Sequence, residues 1–288
     1  MVLIDIRAYT GVMPELPEVE TVARGLENAL IGQSFTSVTL RRANLRFPFP
    51  ERFAQTITDN KIVHIGRRAK YLLIHFADQT VLIGHLGMSG SFRIDEKISP
   101  EPEKHDHMIL KTGNGTTVRY HDPRRFGFMI LTTEDEMDTH PQLMNIGPEP
   151  LGNDFNGPVL ADRLKGKKGP IKTALLDQKT VAGVGNIYAC EALHLAGVSP
   201  KRIAGTIAGK RADALAGAIR QVLQDAILSG GSTLRNYSTT SGELGYFQHK
   251  FQVYDKENTP CPKENCKGTI KRIVQSGRST FFCSSCQR

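Results

Sequence analysis

"KIVHIGRRAKYLLIHFADQTVLIGHL", Lys61 to Leu86, decides the architecture of the N-terminal half. It holds three runs of strand length and composition: KIVHIG, YLLIHF and TVLIGHL. The last two are joined by a short turn at Ala77-Asp78-Gln79. Working outward, SFTSVTL (34–40) reads as another strand and FGFMILT (126–132) as one more. HMILKTGNGTTVRYH (107–121) is a hairpin pattern turning at Gly113-Asn114-Gly115. Short antiparallel strands separated by turn signals predict a β-sandwich.

Ahead of the strands stands GVMPELPEVE, Gly11 to Glu20. Pro17 suits the first turn of a helix, and Glu18 and Glu20 favour its positive end. Val19, Val22, Ala23, Leu26 and Leu30 follow at helical spacing. That helix start leaves Pro14 and Glu15 unexplained. Beyond the strands, NIGPEPLGNDFNGP (145–158) marks a hinge by its Gly and Pro content. RADALAGAIRQVLQDAIL (211–228) then carries an apolar stripe of Leu215, Ile219, Val222, Leu223, Ala226 and Ile227, most simply core. The following SGGSTLRNYSTTSGELGYF (229–247) is long for a structureless connection, which points to a functional or mobile segment.

Four of the five cysteines fall in the last 30 residues. Cys261 and Cys266 are spaced C-x4-C, and Cys283 and Cys286 C-x2-C, around the hairpin-like GTIKRIVQSGRSTFF. The spacing predicts a tetrahedral four-thiolate site for one structural Zn2+, with no open position for catalysis. A disulfide pair or free thiols are the competing readings, and disulfides are disfavoured for a cytosolic chain. Cys190 stands alone in an apolar helix pattern and reads as core. Arg278, near the hairpin tip, reads equally as a solvated surface arginine or as one presented to a groove.

The 288 residues suffice for two domains. Net charge is +8, but residues 1–150 carry 17 Lys+Arg against 19 Asp+Glu while residues 151–288 carry 20 against 10. A basic C-terminal half fits a polyanion such as nucleic acid, or an inert basic surface. No apolar run approaches the roughly 20 residues of a membrane span. The N-terminus has an acid at Asp5, no basic n-region and no long apolar h-region, so it does not read as a secretory signal and the expected location is cytoplasmic.

Several turns carry candidate chemistry. In GVGNIY (183–188) glycines allow backbone N–H groups to approach a phosphate at a helix N-terminus, and they equally make tight helix–helix turns. The basic loop KGKKGPIK (165–172) precedes it. Lys70 stands before an apolar run, where partial burial lowers an ammonium pKa; an ordinary strand-end lysine is the plainer reading. His105 and His107 share a strand face without a third nearby ligand, so no metal is expected there. HLGMSG exposes Met88 in a turn, and DPRRFG exposes Arg124, Arg125 and Phe126 in another. Apolar wedges beside arginines are what unstacking DNA bases requires.

MPELPEVE (13–20), RRAKYLL, HLGMSG, EKHDH, DPRRFG, IGPEPL, GVGNIYA and the cysteine hairpin occur in this order from Met13 to Arg288. Together they resemble bacterial formamidopyrimidine-DNA glycosylase. The resemblance implies an α+β fold: a β-sandwich catalytic domain with flanking helices (13–142), a hinge (143–151), a helix–two-turn–helix DNA-binding domain (152–247) and a zinc-finger β-hairpin (248–288). It implies a monomeric, bifunctional base-excision-repair enzyme acting on double-stranded DNA. Such an enzyme removes 8-oxoguanine and formamidopyrimidines, then cleaves the abasic strand by β,δ-elimination. By resemblance Pro14 is the nucleophile, Glu15 the acid–base, Lys70 a lysine for strand chemistry, and Arg278 the phosphate-binding finger arginine. Met88, Arg124 and Phe126 fill the space of the flipped nucleotide; His105, Lys168 and Asn186 contact the DNA backbone. The loop from Ser238 to Tyr246 matches a lid over the damaged base.

One departure follows. The family's proline is N-terminal, whereas Pro14 is internal and its nitrogen is an amide without nucleophilic character. Met13 as the true start is the preferred reading, with residues 1–12 an upstream extension. The others are an extension that is cleaved, or one that is retained on a non-cutting binder of damaged DNA or on an enzyme using Lys70. Endonuclease VIII, a pyrimidine-specific relative in fold, is the rival enzyme; PELPEVE and the Met88 turn favour the purine enzyme.

Overall fold

A computed structural model describes residues 13–95, 101–231 and 246–288 in full and residues 3–5 as backbone. The expected lid therefore lies outside the described residues except for Tyr246, as does most of the 1–12 extension. The chain divides into two compact units, Met1–Met144 with Ser229–Gln248, and Asn145–Leu228 with His249–Arg288.

In the first unit, α1 spans Leu16–Leu30. Glu15 caps it in a reciprocal capping box, its side chain meeting the Glu18 N–H while Glu18 Oε2 accepts the Glu15 N–H at 2.9 Å. The stripe Val19, Val22, Ala23, Leu26 and Leu30 is buried as its spacing requires. Two antiparallel sheets form the sandwich. One joins β1 (Leu3–Asp5), β6 (Ser91–Asp95), β8 (Thr117–His121), β7 (Asp106–Thr112) and β2 (Phe35–Leu40). The other runs β3 (Ile62–Arg68), β4 (Tyr71–Phe76), β5 (Thr80–His85), β9 (Phe128–Thr133), with the short helix α2 at Phe53–Ile57. One apolar core combines α1 residues with Phe35, Leu72, Leu82, Phe92, Met108, Val118 and Met129.

Strand β6 has no counterpart among the sequence-read strands. Its alternation sends Phe92 and Ile94 into the core, but Ser91, Arg93 and Asp95 on the other face are buried too. There Arg93 pairs directly across from Arg119. Acids resolve the repulsion: Glu103 takes Arg93 at 2.5 and 3.1 Å, and Asp95 takes Arg119 at 2.7 Å. Asp106 lies 3.4 Å from Arg119 and 2.8 Å from His121 Nδ1. Glu103, Asp106 and His121 are close enough to hold a cation, but both carboxylates already answer arginines.

The second unit holds α3 (Gly157–Leu164), α4 (Ile171–Leu176), α5 (Asn186–Leu195), α6 (Lys210–Leu228) and the hairpin β10 (Ile270–Gln275)–β11 (Arg278–Cys283). Residues Ile187 to His194 of α5 are all buried, Cys190 among them. Helix α5 packs against α6 and β11, and its Glu191 carboxylate accepts the N–H groups of Gln252, Val253 and Tyr254 at 2.8–3.1 Å. Three bonds to one carboxylate fasten the finger segment to the helix.

Candidate functional site

Pro14 and Glu15 lie buried at the capped start of α1. Lys70 occupies the second position of the two-residue β3–β4 turn and is buried. Ala69 before it has φ 53°, a left-handed conformation costly for a residue with a Cβ. Arg67 joins the two places: its Nε donates to Glu20 of α1 at 3.0 Å and its Nη1 to the Ala69 carbonyl at 2.9 Å. His85, at the end of β5, accepts the Gly87 N–H on Nδ1 at 3.0 Å, leaving Nε2 as the protonated nitrogen. Burial, then the positive charges of Lys70 and Arg46, push its pKa down to about 4.

The turns carrying Met88 and Arg124–Phe126 are laced together by a residue that sequence reasoning passed over. Asp122 is fully buried. Its Oδ1 accepts the Ser89 hydroxyl at 2.5 Å, and its Oδ2 accepts the Gly127 N–H at 2.9 Å and the Tyr120 hydroxyl at 3.3 Å. Ser89 Oγ in turn accepts the Arg124 N–H at 3.0 Å. Gly87 has φ +64°, and a Cβ there would lie 2.4 Å from the Phe126 carbonyl carbon, so the turns approach backbone to backbone. Phe126 remains 44% exposed beneath the Arg124 guanidinium, 4.8 Å from its ring centroid, and Met88 is half-buried. The only signal of this lacing in the sequence is an Asp opening the turn DPRRFG. His105 joins the cluster through its backbone carbonyl, which accepts the Asp122 N–H at 3.0 Å. The His107 ring is committed to the Asp122 carbonyl at 2.9 Å.

In the second unit Asn186 opens α5. Its side chain accepts from Lys172 Nζ at 2.5 Å and donates to the Ser279 carbonyl at 3.0 Å and to the Tyr254 hydroxyl at 3.3 Å. The hairpin strand thereby orients it. The N–H groups of Gly183 and Val184 are used internally, by Gln178 and Ala182, so these two do not form an open phosphate cradle. Lys168 is exposed, whereas its neighbour Lys167 faces Asp177 at 3.3 Å. Arg278 is exposed directly after a two-residue turn, Ser276-Gly277, with φ 49° and 73°. That is a type I′ hairpin, which matches strand twist.

The four cysteines of the finger converge. Cys261 Sγ lies 3.7 Å from Cys286 Sγ, Cys266 Sγ lies 3.6 Å from Cys283 Sγ, and all four are within 4.8 Å of one another. Sulfurs 2.3 Å from a tetrahedral zinc stand about 3.8 Å apart, whereas a disulfide requires about 2 Å. His194 Nε2 of α5 approaches Cys261 Sγ at 3.5 Å, supporting the site from the helix.

Three family models match in tandem. The formamidopyrimidine-DNA glycosylase N-terminal domain matches residues 13–129, the formamidopyrimidine-DNA glycosylase H2TH domain 146–238, and the zinc finger found in FPG and IleRS 259–288. The chain belongs to the formamidopyrimidine-DNA glycosylase family. The glycosylase of Beijerinckia indica is 56% identical, and that of Chelativorans sp. 52%, each matched over its whole length and 96% of this chain. Among solved structures, Lactococcus lactis Fpg bound to abasic-site DNA is 36% identical with a TM-score of 0.86, covering 95% of this chain and 99% of that one. A mutant of the same protein bound to Fapy-dG-containing DNA has a TM-score of 0.86 at 36% identity, covering 96% and 100%. As a formamidopyrimidine-DNA glycosylase with abasic-site lyase activity, the chain is a DNA-repair enzyme acting on oxidised purines. The four cysteines of its finger hold one structural Zn2+. No helix among the described residues is long and apolar enough to cross a membrane.

Proposed function

We propose that the active form begins at Pro14 and excises oxidised purines, 8-oxoguanine and formamidopyrimidines, from double-stranded DNA through a Schiff base on the Pro14 nitrogen. One observation carries this reading. The family match starts at Met13, and the relatives are covered completely by 96% of the chain. Removal of Met13 converts an inert amide into a secondary amine with a pKa near 8, partly neutral at pH 7. Its lone pair attacks C1′, and the base departs with the glycosidic electron pair and takes up a proton. Glu15 protonates the sugar ring oxygen as the ring opens, leaving an iminium. The iminium acidifies C2′. Loss of that proton expels the 3′ phosphate, and a second elimination expels the 5′ phosphate.

The capping box holds Glu15 beside the amine, and Arg67 ties that helix start to the Lys70 turn, where an ammonium serves the strand chemistry. Met88, Arg124 and Phe126 occupy the gap left by the flipped nucleotide and meet the orphaned cytosine. His105, Lys168, Asn186 and Arg278 grip phosphates. The enzyme works as a cytoplasmic monomer. A second reading draws on β1: Leu3–Asp5 pairs with β6, which is compatible with a retained extension on a protein that binds damaged DNA without cutting it.

Borohydride trapping on duplex abasic DNA separates the two. Protein beginning at Pro14 should give a covalent adduct, its Pro14→Gly variant should lose most base excision, and the 288-residue chain should give no adduct. An adduct of equal yield from the full chain would remove Pro14 from the mechanism.

A further inference from the structure

The segment RRANLRFPFPER, 41–52, is not used by the proposed mechanism, yet it brings four arginines and one glutamate into a half of the chain with a slight acidic excess. Its centre is exposed: Arg46 is open to solvent and Phe47 is 41% exposed, with the Arg46 guanidinium carbon 5.5 Å from the Phe47 ring centroid. This repeats the geometry of Arg124 over Phe126. The two pairs are neighbours, because the Arg46 N–H donates to the Gly127 carbonyl at 3.0 Å, one residue past Phe126.

Phe47 is also the outer rung of an aromatic ladder. Its ring lies 5.2 Å from Phe128; Phe128 stacks on His85 at 5.3 Å and 11°; His85 lies 5.2 Å from Tyr71, the residue after Lys70. The charge of Arg46 is felt along this ladder, at His85 and at Tyr71. The pair thus sits between the wedge turn and the Lys70 turn and is braced against both. An exposed aromatic ring capped by a guanidinium offers a flat face to a sugar or base and a cation to a phosphate.

We propose that Arg46 and Phe47 form a further DNA-contacting station, which grips the backbone of the undamaged strand beside the orphaned base. The choice of strand follows from the direct backbone link to the Phe126 turn, and it rests on the assignment of Phe126 to the orphaned base. The cation supplies the phosphate contact, and the ring keeps the guanidinium extended.

The test measures dissociation constants of Arg46→Ala and Phe47→Ala, in the full chain, for a tetrahydrofuran-containing oligonucleotide as a duplex and as a single strand, across a salt series. For Arg46→Ala the duplex constant should rise about tenfold and the log–log salt slope should become shallower by about one. The single-strand constant should change far less. Phe47→Ala should reproduce part of the duplex loss with an unchanged slope. Unaltered duplex binding by both variants would overturn the proposal. Equal losses on duplex and single strand would overturn the strand assignment, and losses that track a lowered unfolding temperature would reduce the pair to packing. Phe126→Ala and borohydride trapping run alongside: a failure of either counts against the wedge or the Schiff-base reading, whatever Arg46 does.

Discussion

Asp122 shows how much of the site depends on one buried carboxylate. Ser89, Gly127 and the Tyr120 hydroxyl of β8 donate to it directly, and Arg124 donates to Ser89 in turn. Removing it leaves a buried N–H and two hydroxyls without an acceptor, at roughly 1–3 kcal/mol for each unsatisfied group. Asp122→Ala should therefore destabilise the protein by about 3 kcal/mol in urea titrations. Ser89→Ala, which breaks only the bridge to Arg124, should cost about 1 kcal/mol. A double-mutant cycle between the two should be non-additive; simple additivity would show that the bridge carries no coupling. Such a residue is hard to see from sequence alone. An Asp before Pro reads as an ordinary turn opener, and nothing in DPRRFG says that its carboxylate points inward rather than to water. By contrast Pro14, Glu15, Met88 and Phe126 stand out as candidates in the sequence itself, because the helix start does not require a Met-Pro-Glu lead and apolar residues on turns are unusual for core packing.

At the scale of elements, legibility followed the apolar period. Strands β4, β5 and β9 have continuous apolar runs and were readable, as was β3 from its β-branched residues Ile62, Val63 and Ile65. Strand β6 was not, since SFRID buries its charged face as well as its apolar one, against Arg119 and its acids, and a two-sided burial of mixed polarity erases the alternation. The zinc hairpin lies at the other extreme. It offers few apolar residues of its own, chiefly Ile270, Phe281 and Phe282, and its four thiolates supply what its core cannot. Chelation should unfold β10–β11 and withdraw the Ser279 carbonyl from Asn186. DNA affinity should collapse while circular dichroism of the β-sandwich changes little. Cys283→Ser should behave like the chelated protein; full DNA affinity in that variant would mean that the metal does not organise the hairpin.

Over the whole molecule, charge and chain path set the terms. The basic excess lies in residues 151–288, whereas the proposed chemical residues lie in the first unit. Affinity should therefore rest on cations from both units. With Arg46, Lys168 and Arg278 each neutralising a phosphate, raising salt from 50 to 200 mM should weaken duplex binding roughly fortyfold, with a log–log slope of about −2.7. A response flatter than about −1.4 would mean that fewer than half of these residues meet the backbone. The division at Met144 falls beside the Gly- and Pro-rich stretch 145–158. Ser229–Gln248 groups with the first unit, and in it Phe247 is buried and donates its N–H to the Gly231 carbonyl at 3.4 Å.

That chain path bears on biosynthesis. The first unit needs residues up to Gln248 to be complete. On a ribosome its sandwich strands emerge early, but its last piece arrives only after α6 has been translated. The helical segment must therefore leave the exit tunnel before the first unit can close. A chain that ends between Asn145 and Gln248 consists of two unfinished bodies rather than one finished domain and a tail.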